Sequence, residues 1–349
     1  MGNNRILYLS RIKALSCVAI IVLHTFYMAY SYAVSIDTKS CLISVRNAMM
    51  WAVPCFVMAS GALLLDSKRI LNMKKLFGKY ILRMLLTLVV FSVIFSVFDA
   101  VTTEHYTVTE TINDIFSDIF LGTGWIHMWY LYLMIAIYLL LPFYKLIAKN
   151  ASASELRYLM LIYAVFLSVI PFIETLSGKK LPVYICVYTI YPLFLFLGHS
   201  MHTGLIKLPK NACGLMFLIC AGISTMLTVY CISTDPASSE TVNKVKELLN
   251  VYNFPLYIVL SIAAFGFMRK TRNQTVPVLD TIASEIDSCS FGIYLIHMAF
   301  LKLIFEVIKF NPFEHGGVIV IVGICLVTLI ISYGVTRILK LIPYVNKII

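Results

Sequence analysis

Charge is scarce in this chain, and acidic charge is scarcest. Only 13% of its 349 residues are charged, with 17 Asp and Glu set against 28 Lys and Arg. An ordinary soluble domain carries charge at about a quarter of its positions, so that class is excluded. No CxxC pair occurs among the nine cysteines, and all except Cys41 lie in or beside apolar stretches. They read as packing residues, which excludes a disulfide framework and a thiolate zinc site, and no metal is expected. No segment between the apolar runs is long enough for a separate soluble domain, and no internal repeat is visible, so residues 1–349 are expected to form one membrane-embedded domain. No small-residue cleavage site follows the first apolar run, which is therefore expected to stay in place as a helix.

What the chain has instead is apolar length. Hydrophobic residues make up 60% of it, and the mean hydropathy is +0.89. Ten runs are long enough to be read as spans: about 14–34, 48–66, 81–101, 128–147, 156–173, 182–198, 212–232, 251–268, 288–308 and 317–338. The expected fold class is all-α, a single polytopic bundle of about ten transmembrane helices. With the N-terminus placed in the cytoplasm, twenty Lys and Arg fall on that side and seven on the other, while Lys302 falls inside a span. That bias predicts both termini cytoplasmic. The same clustering beside span ends accounts for the net charge of +11 through lipid headgroups, and no nucleic-acid partner is expected.

Chemistry then has to be sought in the spans and at the two faces. His24 lies about halfway along the uncharged run 14–34, eleven residues past Lys13 and so about 16 Å along a helix from it. An ionisable group at such depth is costly to place and marks a functional candidate. A neutral imidazole there could act as a general base, relay protons in a transporter, or satisfy an interhelical hydrogen bond. On the cytoplasmic face, Lys68 to Arg83 holds six basic residues in sixteen, with Lys79 and Arg83 one turn apart and able to hold a phosphate. The strongest positive-inside loop of the chain would look the same. On the far face, Trp125, His127, Trp129 and Tyr130 suit either a carbohydrate ring or an interfacial aromatic belt. Ser290, Tyr294 and His297 share one helical face, as a polar helix contact or as support for a site.

Five segments occur in order: Lys13 and His24 with ten residues between them, VPCFVMASGALLL (53–65), Lys79 and Arg83 with three between them, HMWYLYLMIAIYLLLP (127–142), and SFGIYLIH (290–297). Together they resemble the acyltransferase 3 family of bacterial integral-membrane acyltransferases, particularly the branch similar to the enterobacterial common-antigen O-acetyltransferase. The resemblance implies an acyl-CoA-dependent O-acyltransferase of the bacterial inner (cytoplasmic) membrane. It would move an acyl group, ordinarily acetyl from acetyl-CoA, to a sugar or glycan hydroxyl of the cell envelope. His24 matches the family's essential histidine, as catalytic base or as the carrier in an acyl-histidine relay. Lys13, Lys79 and Arg83, with Arg11, would hold the CoA phosphates, and Ser290, Tyr294, His297, His127 and Trp129 would support the site. Lysine stands at two places where the family more often has arginine, and Ser10 stands where many relatives carry an acid. The competing reading from another class is a proton-coupled secondary transporter with His24 as relay. No pair of broken helices recurs in the two halves, as many transporter folds would require.

Overall fold

The computed structural model describes residues 6–104, 106–181, 189–234 and 240–349, and the regular elements among them are all helical. In chain order they are α1 (Leu7–Ala29), α2 (Ile36–Ala48), α3 (Ala52–Leu64), α4 (Met73–Lys75), α5 (Leu82–Thr102), α6 (Val108–Leu121), α7 (Trp129–Asn150) and α8 (Ala153–Ala164). There follow α9 (Ile170–Ser177), α10 (Tyr191–Thr203), α11 (Lys210–Ser233), α12 (Glu240–Leu248), α13 (Pro255–Arg269), α14 (Pro277–Lys302), α15 (Val318–Leu339) and α16 (Val345–Ile348). Three π turns, Leu76–Ile81, Val165–Val169 and Leu303–Val307, carry α4 into α5, α8 into α9, and α14 onward.

Among the described residues, eight helical stretches are long and apolar enough to cross a membrane: Leu7–Tyr32, Ile36–Leu64, Met73–Thr102, Trp129–Asn150, Ala153–Ser177, Lys210–Ser233, Pro277–Val307 and Val318–Leu339. They correspond to eight of the ten expected spans. The eighth expected span is the 15-residue α13. The sixth is the 13-residue α10, and the first part of that expected span, 182–188, lies outside the described residues.

Helix starts differ from expectation in one consistent way. α1 begins at Leu7, so Arg11 and Lys13 lie on the helix. At about 1.5 Å per residue, His24 stands about 26 Å from the first residue of α1, in its last third. Lys39 and Arg46, expected beyond the membrane, lie on α2, which runs through a short turn into α3. Lys74, Lys75 and Lys79 are helical as well.

The chain divides into two compact units, Met1–Ser67 with Ile147–Ser288, and Lys68–Leu146 with Cys289–Ile349. In the first, α3 lies along α10 with almost no space between the backbones. A methyl group added to Gly61 would overlap the Leu195 carbonyl, and one added to Gly198 would overlap the Met58 carbonyl. Apolar side chains gain little from leaving lipid, so helices in membranes associate through such close approaches. In the second unit, α6 packs on α5 and is started by a reciprocal capping box between Thr107 and Glu110. This satisfies two amides that a helix start leaves over. Asp118 is buried on α6, where its carboxylate accepts from Ser96 Oγ at 3.1 Å and Thr123 Oγ1 at 3.3 Å. Burial, with Asp114 nearby, raises its carboxyl above the usual range despite those two bonds.

Gly61→Ala and Gly198→Ala are expected to destabilise the protein by about 1–3 kcal/mol each, because the facing group is backbone and cannot rotate away. Thermal unfolding in detergent reads this, with Gly222→Ala, which meets no atom within 4 Å, as the unaffected control. A raised carboxyl favours the folded state below its unfolded pKa and loses that advantage as pH rises through the folded value. Asp118→Asn should therefore raise the melting temperature at neutral pH, with a gain that shrinks on acidification.

Candidate functional site

The first unit gathers ionisable groups along α1. Arg11 is buried, and each of its three nitrogens is used. Nε donates to Asp280 Oδ1 at 2.5 Å, Nη1 to the Thr271 carbonyl at 2.9 Å and to Thr271 Oγ1 at 3.0 Å, and Nη2 to the Gln274 carbonyl at 2.5 Å. Asp280 also accepts the Val276 amide at 2.9 Å and so helps begin α14. Lys13 Nζ lies 2.7 Å from Asp287 Oδ1. Asp280 and Asp287 are seven residues apart, two turns of one helix, so they present one face of α14 to the cations of α1. The Tyr8 hydroxyl and His202 Nδ1 share a hydrogen bond. His24, further along α1, is only partly buried.

Arg11 and Lys13 thus have protein partners before any donor arrives. Lys13 could hold a phosphate only by sharing or leaving Asp287. Lys79 and Arg83 belong to the second unit and differ from each other. Arg83 is half-buried, donates Nε to the Ile348 carbonyl at 3.1 Å and lies 4.8 Å over the Phe291 ring. Lys79 lies on the π turn and is the most exposed of the four basic residues.

The structure does bring the expected supporting residues of the second unit together. The His127 ring lies 5.4 Å from that of Tyr294 and 5.5 Å from that of His297, and Tyr294 donates its hydroxyl to the His127 carbonyl. Trp129 reaches the cluster through Tyr130, whose ring is 5.5 Å from Tyr294. Ser290 is half-buried one turn before Tyr294. His127 and His297 are 2% and 0% exposed, which suits them to holding helices together and leaves no surface for a reactant.

Sequence reasoning missed the counterions. Asp280 and Asp287 fall between the expected spans 251–268 and 288–308, and their partners lie 269 and 274 residues away. Lys302 is different, since a lysine inside a span demands a partner. It finds Asp99 at 2.6 Å, lies 4.4 Å over Trp125, and Trp125 Nε1 donates to the same carboxylate at 2.6 Å. The first unit also has a partly open pocket of about 390 Å³, bounded by apolar groups including Phe172, Cys220, Ile223, Leu227, Leu248 and Phe254. Its walls offer no chemistry beyond room for a hydrocarbon chain.

With eight membrane-length helices among the described residues and charges paired within its units, the chain is a multi-pass membrane protein. The family model described as an acyltransferase domain matches residues 6–337, nearly the full length, so the chain belongs to the acyltransferase 3 family and is a membrane acyltransferase. No curated protein and no solved structure matches it.

Removing one member of a buried ion pair costs about 3–5 kcal/mol, because the other charge is left behind. Asp280→Asn should be the more destabilising of the two aspartate substitutions, because Arg11 is almost fully enclosed. Asp287→Asn should cost less, since Lys13 is 25% exposed. Thermal unfolding in detergent ranks the two, and the exchange of Lys13→Asp with Asp287→Lys should recover part of the loss.

Proposed function

We infer that this acyltransferase uses an acyl-CoA donor, acetyl-CoA in the first instance, and delivers the acyl group to a hydroxyl of a cell-envelope glycan, with His24 as general base. The bacterial cytoplasmic membrane is the matching location, and the enterobacterial common-antigen branch is the matching kind of relative. One observation carries the choice of base. Of the six described histidines, His24 is the one that lies within a membrane-length helix and is also partly exposed. A base must touch the proton it removes, and the sealed His127 and His297 offer no such access.

The imidazole takes the acceptor hydroxyl proton as the oxygen attacks the thioester carbonyl. Collapse of the tetrahedral intermediate forms the ester and expels the CoA thiolate, which recovers the proton from the imidazolium. Hydrogen-bond donors around the developing oxyanion lower that barrier. Carrying out the reaction within the bundle limits thioester hydrolysis by water.

Purified protein in nanodiscs, supplied with radiolabelled acetyl-CoA and a cell-envelope glycan extract, should transfer label to the extract. His24→Ala should lower that transfer by about 10²–10⁴-fold while donor binding and the melting temperature are retained. Unchanged turnover in His24→Ala would remove the residue from the mechanism. Label found on wild-type protein but absent from His24→Ala would favour the acyl-histidine route over the base.

A further inference from the structure

Arg46 is one of the cations of the first unit that no described ion pair uses. It lies in the last turn of α2 and is partly exposed. Its Nη1 is held by three acceptors: Asn47 Oδ1 at 2.7 Å, Asn250 Oδ1 at 2.8 Å and the Leu249 carbonyl at 3.2 Å. Both amides are themselves oriented, since Asn47 Nδ2 donates to Thr228 Oγ1 at 2.9 Å and Asn250 Nδ2 to the Lys246 carbonyl at 2.8 Å. Each therefore turns its oxygen toward the guanidinium. Arg46 Nε is buried and has no hydrogen-bond acceptor among the described residues. No described carboxylate pairs with Arg46 either; the five ion pairs involve Arg11, Lys13, Lys244 and Lys302.

The side of the guanidinium that carries Nε and Nη2 is the one that grips a carboxylate or phosphate with two parallel bonds. Here Nη1 is anchored and Nε is covered, so the fork is held in place and a ligand reaches it only when the cover over Nε moves aside. The Arg46 Cζ atom lies 5.7 Å from the centre of the Tyr27 ring. Tyr27 is three residues beyond His24 on α1, on the same helical face, and about 4.5 Å further along the axis. An anionic group at the fork thus sits beside the stretch of α1 that carries His24.

We propose that Arg46 determines acceptor specificity by binding an oxyanion, carboxylate or phosphate, that the acceptor carries close to the hydroxyl being acylated. The acceptor class is then an acidic sugar or sugar phosphate. The assignment rests on the reading of His24 as the base. A bilayer phospholipid headgroup offers the same chemistry, and the experiment separates the two sources.

Wild type, Arg46→Gln, Arg46→Lys and the control Lys39→Gln, which removes another cation of α2, are placed in nanodiscs of phosphatidylcholine alone or with phosphatidylglycerol. Acetyl transfer to methyl glucoside, methyl glucuronoside and glucose 1-phosphate is compared as kcat/KM. In wild type the charged acceptors should be favoured by about tenfold to a hundredfold. The ratio should collapse in Arg46→Gln, survive in part in Arg46→Lys, and persist in Lys39→Gln. A ratio that survives Arg46→Gln, or the absence of any preference in wild type, overturns the proposal. So does an effect of Arg46→Gln confined to thermal stability in phosphatidylglycerol discs, which makes the fork a headgroup contact. A separate arm measures thermal stabilisation of the protein by inorganic phosphate in phosphatidylcholine discs, without donor. If no acceptor is acetylated, the acyl-transfer reading fails on its own. Phosphate stabilisation lost in Arg46→Gln then still supports the oxyanion site, and its absence in wild type overturns it.

Discussion

A charge inside an apolar bundle has to be neutralised where it stands, and the first unit is organised around that requirement. Arg11 and Lys13 are both on α1, and both find aspartates on one face of α14. The Arg11 guanidinium also gathers two backbone carbonyls from the segment before α14, so a single side chain fixes a helix start, a loop and a neighbouring helix. Such pairs contribute little net stability compared with apolar packing, yet losing half of one is severe. Their effect is positional: they set the height and rotation of α1, and His24 is carried on that helix.

The close approach of α3 and α10 works by the opposite route, through the absence of side chains. Gly61 and Gly198 let two backbones meet, and dispersion contacts accumulate along the seam. The second unit uses a third device. Phe95 stacks on Trp125 with ring centres 3.9 Å apart, while Lys302 and Asp99 close over the same indole. An aromatic surface thereby shields an ion pair at the end of a span.

The apolar runs made most of the spans legible, because a long hydrophobic stretch has few alternatives to a membrane helix. His24 was legible for the related reason that an imidazole stands out in such a run. Helix starts were not. Arg11 and Lys13 read as flanking charges because cations ordinarily mark the edge of a span, and only the distant Asp280 and Asp287 allow α1 to continue through them. Arg46 was hidden by the same assumption, having been counted beyond the membrane while it lies on α2. Lys79 and Arg83 were correctly placed one turn apart, but spacing does not show which of two side chains turns inward. Arg83 is the one that does, onto the Ile348 carbonyl.

The three π turns bear on how the chain tolerates change in length. A π turn holds one more residue than an α turn would in the same place, so each acts as an insertion absorbed without leaving the helix. Deleting a single residue within Leu303–Val307 would let that segment close as ordinary α-helix. Everything beyond it would keep nearly the same direction relative to Lys302, because the four remaining α residues wind through about the same angle as the five π residues did. The permitted lengths of these helices are therefore set by phase: a gap of one residue at a π turn in a related chain leaves direction nearly unchanged, where the same gap in plain α-helix turns everything beyond it by about 100°.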